Sequence, residues 1–185
     1  MPAIAGIHGF FLDADTARVG QDTSMQFRDA EAGDLPAIVT LLADDPLGAK
    51  RERNEDPLPG QYRDAFAAVQ RQEGNRIIVA SDNGAVVGCL QLTLIPGLSR
   101  LGMLRAQIES VRVAASHRNH GLGEALFRHA IECAKEAGCG LVQLTTDRSR
   151  PDALRFYERL GFEASHLGLK LDLTKLDATK QTAKA

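Results

Sequence analysis

The stretch Val111-Arg112-Val113-Ala114-Ala115-Ser116-His117-Arg118-Asn119-His120-Gly121-Leu122-Gly123 decides how this chain is read. A β-rich run enters it and a short polar loop follows. Two glycines, one residue apart, then stand where an apolar helical pattern begins. The first turn of a helix carries N–H groups without intrahelical acceptors, and the helix dipole places its positive end there. Glycine lets backbone approach a bound anion because no Cβ intervenes. The stretch reads as a cradle for a phosphate or pyrophosphate, with Arg118 able to add a charge-assisted contact. Taken alone, Gly-x-Gly at a helix start is equally a plain turn.

Working outward, the spacing predicts a helix from about Gly121 to Ala137. Leu122, Ala125, Leu126, Ala130, Cys133, Ala134 and Ala137 share one face. Gly138 ends it by turning left-handed. Leu141 to Thr145 reads as a buried strand. Ser149 caps a short helix through Leu160, with Pro151 early and Gly161 just past its end. A last strand is expected over Leu167 to Leu173. Upstream, Gln107 to Val113 is a strand. Before it, Asp82-Asn83-Gly84 joins the β-rich runs Arg76 to Ala80 and Val86 to Leu94 as a hairpin. Two helices precede the hairpin. One is capped by Asp34 with Pro36 in its first turn, and the other covers about Tyr62 to Gln72. An irregular segment holding Pro46, Gly48, Pro57, Pro59 and Gly60 lies between them. This order defines an α/β domain with a mixed central β-sheet flanked by about four helices. Residues 25–173 form that domain, 1–24 an N-terminal extension and 174–185 a polar tail.

Composition narrows the function classes. At 185 residues, with 44% hydrophobic and 25% charged residues, the chain suits one domain with a full core. The 22 basic and 24 acidic residues leave a net charge of -2, so no global positive field attracts nucleic acid or an anionic membrane. No run approaches the roughly 18 apolar residues of a membrane-spanning helix. The apolar run Ile4 to Leu12 is broken by Gly6, His8 and Gly9 and lacks a basic flank, so it is not read as a signal peptide. Cys89, Cys133 and Cys139 form no Cys-x-x-Cys pair, which speaks against a zinc site or disulfide framework and for a cytoplasmic setting. No metal site is expected.

Three phosphate-binding patterns compete for the glycine loop. The Gly-x-x-x-x-Gly-Lys-[Ser/Thr] of P-loop NTPases is absent. A dinucleotide fold is approached by Gly121, Gly123 and a later Asp147, but its third glycine position holds Leu126. Arg118-Asn119-His120-Gly121-Leu122-Gly123 resembles, at each defined position, the R/Q-x-x-G-x-G/A loop of the GNAT N-acyltransferases. Ala153-Leu154-Arg155-Phe156-Tyr157-Glu158-Arg159-Leu160-Gly161-Phe162 resembles the A-x-x-F-Y-x-x-x-G-F ending of the same superfamily. Phe27-Arg28-Asp29-Ala30 followed by Asp34-Leu35 looks like its start.

The resemblance implies a single GNAT-type domain whose central strands splay to admit acetyl-CoA. Backbone at Val111, Arg112 and Val113 would then bind pantetheine. The loop residues Arg118, Asn119, His120, Gly121, Leu122 and Gly123 would hold the pyrophosphate. Tyr157 would protonate the leaving thiolate; an ordinary tyrosine, with a pKa of about 10, stays protonated at neutral pH. The plainer reading of Phe156 and Tyr157 is helix packing. Glu109 is placed, by alternation, on the strand face of Val111 and Val113, where it would take a proton from the attacking amine. It reads equally as a solvated carboxylate or one paired with Arg105 or Arg112, and His120 is a second base candidate. Where many family members carry asparagine, this chain has Arg150, which stands in for that cofactor contact or meets an acidic substrate. The run Leu144 to Tyr157 is similar to the aminoalkylphosphonate acetyltransferase branch, implying a small amine with an anionic group. Arg51, Arg53, Arg100 and Arg105 are candidates to face it, and each reads as well as a solvated arginine. His166 reads as a satisfied histidine. The implied function is transfer of an acetyl group to a primary amine of a small molecule by direct attack, in a possible homodimer. The alternative is an acyl-CoA-binding regulatory module with little catalysis.

Overall fold

Asn83 and Gly84 both take positive φ, 49° and 82°, as a two-residue type I′ hairpin requires. They join β2 (Asn75–Asp82) to β3 (Ala85–Ile95), the longest strand. The computed structural model describes residues 25–45 and 48–173. The sequence expectations for 1–24 and 174–185 lie outside these residues. The described chain falls into two compact units, one running through Leu144 and one starting at Thr145.

In the first unit, β1 (Gln26–Asp29) is followed by α1 (Leu35–Ala43) and α2 (Gly60–Arg71). The hairpin comes next. A four-residue turn, α3 (Ser99–Gly102), leads into β4 (Arg105–Val113), α4 (Leu122–Glu136) and β5 (Leu141–Leu144). The sheet order is β1-β2-β3-β4-β5. The first three pairings are antiparallel and β4–β5 is parallel, so the sheet is mixed as the sequence implies.

The buried face of α4 carries Leu122, Leu126, Phe127, Ala130 and Ala134 against β3 and β4. Phe127 belongs to this face, whereas Cys133 is only half-buried. On the opposite face of the sheet, Leu35, Ile38 and Leu41 of α1 and Phe66 of α2 cluster with Val79 and Cys89. Gly138, at φ 80°, closes α4 as expected.

Asp34 precedes α1 but its side chain does not cap it. The carboxylate is drawn to the Arg28 guanidinium, at 2.6 and 2.9 Å, and accepts the Glu31 N–H at 2.8 Å. Arg28 holds the Asp34 carboxyl below the ordinary carboxylate range. A lowered pKa gives stability that is complete above the unfolded value and is lost as pH falls through the folded one. Asp34→Asn should therefore destabilise the fold by about 1–2 kcal/mol at pH 7. Urea titrations should show the gap between variant and parent closing below about pH 4.

The second unit contains α5 (Pro151–Arg159). Ser149 does not cap it. Its N–H and hydroxyl both donate to Asp147 Oδ1, at 2.9 and 2.7 Å, and the cap position falls to Arg150. The strand expected over Leu167 to Leu173 does not form. Leu167, Leu169, Leu171 and Leu173 are 79, 93, 71 and 67% exposed. Alternation supplies a strand's faces but not its hydrogen-bond partners, and the described residues of this unit contain no other strand.

Candidate active site

The glycine loop is built from backbone. Asn119 and Gly121 take positive φ, 64° and 82°, and wind the chain into α4. The Ala125 N–H donates to the Gly121 carbonyl at 3.0 Å, so the N–H groups of Leu122, Gly123 and Glu124 precede the first helical hydrogen bond. Buried Leu122 pins the helix start to the core, while Arg118, Asn119 and His120 are exposed. Such a helix start suits an anion. A Cβ at Gly121 would meet nothing within 4 Å, so the cost of substitution there is conformational. Gly121→Ala should lower the Tm by about 2–6 °C in a thermal melt, from about 1–2 kcal/mol of left-handed strain.

The Arg118 side chain is engaged elsewhere than the loop mouth. Its Nη2 donates to Asp44 Oδ2 at 2.6 Å and to the Asp44 carbonyl at 3.1 Å, and its Nε donates to the Val113 carbonyl at 3.0 Å. Arg112 pairs with Asp45 at 3.1 Å and donates to the Val111 carbonyl at 2.9 Å. Its Nε is buried with no acceptor among the described residues. The two arginines thus tie the end of α1 to β4 and the loop. Arg118, expected to add a charge-assisted phosphate contact, is paired in this structure with Asp44. Sequence reasoning missed Asp44 and Asp45, although two acids at the end of a helix ahead of two unplaced arginines were the available signal.

β4 departs from regular alternation. Cys89 faces Arg112 but Gln91 faces Glu109, so β4 spends one extra residue between these pairs. Ser110 sits there at φ 54°. This bulge resets the faces. Glu109 shares the α1–α2 face with Cys89 and Arg112, and Val113, opposite Gly88, lies on the α4 face. The expectation that Glu109 shares a face with Val113 is therefore corrected. Glu109 is exposed. Pairing with β5 ends at Ile108↔Leu144, and β4 continues to Val113 bonded only to β3. All four residues of β5 are paired, so the β5-side edge of Val111 to Val113 is open because β5 ends at Leu144. Beneath it, burial pushes the Cys89 thiol up to about 12, which keeps it un-ionised and a poor nucleophile.

In the second unit, Tyr157 lies on α5 and is half-buried. Its ring meets Phe156 and Phe162 edge-on, with centroids at 5.4 and 6.2 Å. The Tyr157 carbonyl accepts the N–H groups of Leu160 and Phe162, both at 3.0 Å, so the Gly161-Phe162 ending closes the helix. Arg150 is exposed at the helix start, where its carbonyl accepts the Ala153 N–H at 3.1 Å.

The other basic candidates divide. Arg53 pairs with Glu55 at 2.7 Å, and its N–H donates to the Tyr62 hydroxyl at 2.9 Å. That hydroxyl donates to Glu52 at 2.8 Å, fixing the segment before α2. Arg100 sits on the left-handed turn α3 at φ 54°. Arg105 opens β4 and is exposed. His166 is hydrogen-bonded to the Ser165 hydroxyl at 2.8 Å.

A sheet edge left uncovered beyond β5, beside a glycine-opened helix start, suits an anionic ligand. The model of the acetyltransferase (GNAT) family matches residues 35–162, across both units, and the chain belongs to this family. The chain is 34% identical over 151 residues to a glucosamine 6-phosphate N-acetyltransferase of Trypanosoma brucei brucei, covering 80% of this chain and 96% of that one. It is 34% identical over 105 residues to an aminoalkylphosphonate N-acetyltransferase of Salmonella typhimurium, covering 57% and 68%. Among solved structures, a Bacillus halodurans protein described as a transcriptional regulator matches at 52% identity and a TM-score of 0.79, covering 80% of this chain and 99% of that one. The protein is an N-acetyltransferase of the GNAT family. Among the described residues no helix is long and apolar enough to cross a membrane.

Proposed function

We propose that this enzyme moves the acetyl group of acetyl-CoA to a primary amine of a small molecule by direct attack. The observation that carries the reading is the loop Arg118–Gly123 entering α4 beside the open edge of β4. N–H groups at the helix start suit a pyrophosphate, and the stretch Val111 to Val113, which β5 leaves uncovered, suits a pantetheine amide. On this reading Glu109 takes the amine's proton and Tyr157 protonates the leaving thiolate. Arg150 contributes a positive charge toward the cofactor or an anionic acceptor. Holding both reactants in one groove supplies orientation, a large share of the rate enhancement. The named relatives' acceptors, a phosphosugar amine and aminoalkylphosphonates, support a small amine bearing an anion. Three free cysteines support a reducing, cytoplasmic setting. The single-domain reading of 25–173 and the homodimer are tested by limited proteolysis and light scattering.

Calorimetric titration with acetyl-CoA, with free CoA and a nicotinamide dinucleotide as controls, tests the reading. Saturable binding of acetyl-CoA, with or without CoA, is expected. No binding by folded protein overturns it. The structure described as a transcriptional regulator favours a second reading, an acyl-CoA-binding regulatory module. That reading predicts binding without release of CoA in the presence of any amine.

A further inference from the structure

The α1–α2 face of the sheet changes character along its strands. Val79 and Cys89 are buried among apolar side chains of α1 and α2. One step further along the same face, β3 presents Gln91 and β4 presents Glu109, directly opposite each other. One row beyond, Asn75, Thr93, Gln107 and Gln143 line up straight across four strands. All six are only partly buried or exposed. A sheet face that must only pack beneath helices has no use for such a row. An open one that meets a polar ligand does.

The hydrogen bonds within the rows decide what each group has left to offer. Gln91 Nε2 donates to Asn75 Oδ1 at 3.0 Å, which leaves Gln91 Oε1 as an acceptor beside the Glu109 carboxylate. Gln143 Nε2 donates to Gln107 Oε1 at 2.7 Å, which leaves the Gln107 amide N–H groups as donors. Arg105 lies on the same face, two residues before Gln107. Along β4 the free groups therefore run from acceptors at Glu109 and Gln91, to donors about 7 Å away at Gln107, to a cation about 13 Å away at Arg105. Acceptors suit an amine or ammonium, and donors followed by a cation suit an oxyanion.

We infer that this polar half-face is the floor of the acceptor site, and that Gln107, with Arg105 beyond it, selects amines carrying an oxygen-rich anionic group. The inference rests on the acetyl-transfer reading and names its substrate class from this chain's own side chains. Gln107 acts here as a specificity residue: the free amide N–H points the anion of the acceptor away from Glu109. That places the amine, rather than the anion, at the carboxylate.

The test compares phosphoethanolamine with 2-methoxyethylamine, which lacks the phosphate anion, following CoA release at saturating acetyl-CoA. The parent enzyme should favour the phosphate amine at least tenfold in kcat/KM. Gln107→Glu keeps an acceptor for Gln143 but replaces the donor with an anion. It should cut that preference at least tenfold, through KM, with the acetyl-CoA Kd within about twofold of the parent by calorimetry. Arg105→Ala, at an exposed strand end, is the second variant and should reduce the preference in the same direction. Turnover of both amines with no preference overturns the assignment while leaving acetyl transfer intact. Preference unchanged in both variants does the same for Gln107 and Arg105. Failure of the parent to bind acetyl-CoA overturns the underlying reading, and the inference with it.

Discussion

Tyr157→Phe is expected to lower kcat by about 10²-fold or more while acetyl-CoA binds within about twofold of the parent affinity. The substitution removes one oxygen and leaves the ring. That ring is set edge-on to Phe156 and Phe162, so its packing survives. The loss then reports the hydroxyl rather than the ring. In the proposed reaction, amine attack on the thioester carbonyl breaks the C–S bond, and the sulfur leaves with the electron pair. A thiolate is expelled more readily when a donor protonates it during departure. A phenol can serve as donor because its ordinary pKa, about 10, keeps the phenolic proton in place at pH 7. The measurement is steady-state CoA release alongside calorimetry. An unchanged kcat removes Tyr157 from the chemistry. A tenfold loss of acetyl-CoA affinity with kcat intact assigns Tyr157 to cofactor packing instead.

How much of this was legible in the sequence depended on whether a feature was local. Asn83-Gly84 marked the hairpin because a type I′ turn needs positive φ at both positions, and few residue pairs accept that. The glycine loop and the apolar face of α4 were legible for similar reasons, since capping and helical period are written over a few adjacent residues. The faces of β4 were not. Alternation assumes an unbroken ladder, and the bulge rests on Ser110 at φ 54°, a residue that carries no turn signal. One inserted residue moved Glu109 to the opposite face from Val113. The Leu167 to Leu173 run shows the converse failure. Its period of two is clear, but a strand exists only where a second strand accepts its hydrogen bonds. Ser149 and Asp34 both look like helix caps and both are diverted by a nearby competitor, Asp147 and Arg28 respectively. The ties from Asp44 to Arg118 and from Asp45 to Arg112 span more than sixty residues of chain, beyond any spacing rule. They matter for the site because they pair both guanidiniums with carboxylates beside the end of α1.

The consequence of the β4 bulge for catalysis is carried by Glu109→Gln. At pH 7 this variant should lose about 10²-fold to 10³-fold in kcat/KM for the amine, with acetyl-CoA affinity unchanged. The carboxamide matches the carboxylate in shape and leaves the cross-strand pairing with Gln91 in place, so the fold is kept. What is lost is the proton acceptor. An alkylamine with an ordinary pKa of about 10.4 is about one part in 10³ free base at neutral pH, and the ammonium form has no lone pair with which to attack. Without Glu109 the enzyme must wait for free amine from solution, whose fraction rises about tenfold per pH unit until the amine's own pKa. The variant's kcat/KM should therefore climb steeply between pH 7 and 10. The parent, which collects the proton itself, should rise less over the same range and meet the variant near the top. The profile separates this role from mere attraction of the ammonium. A carboxylate that only attracts substrate would, when neutralised, raise KM and leave the pH slope as in the parent. Parallel profiles would thus remove Glu109 as the base and leave it as part of the acceptor floor, beside Gln91 and Gln107.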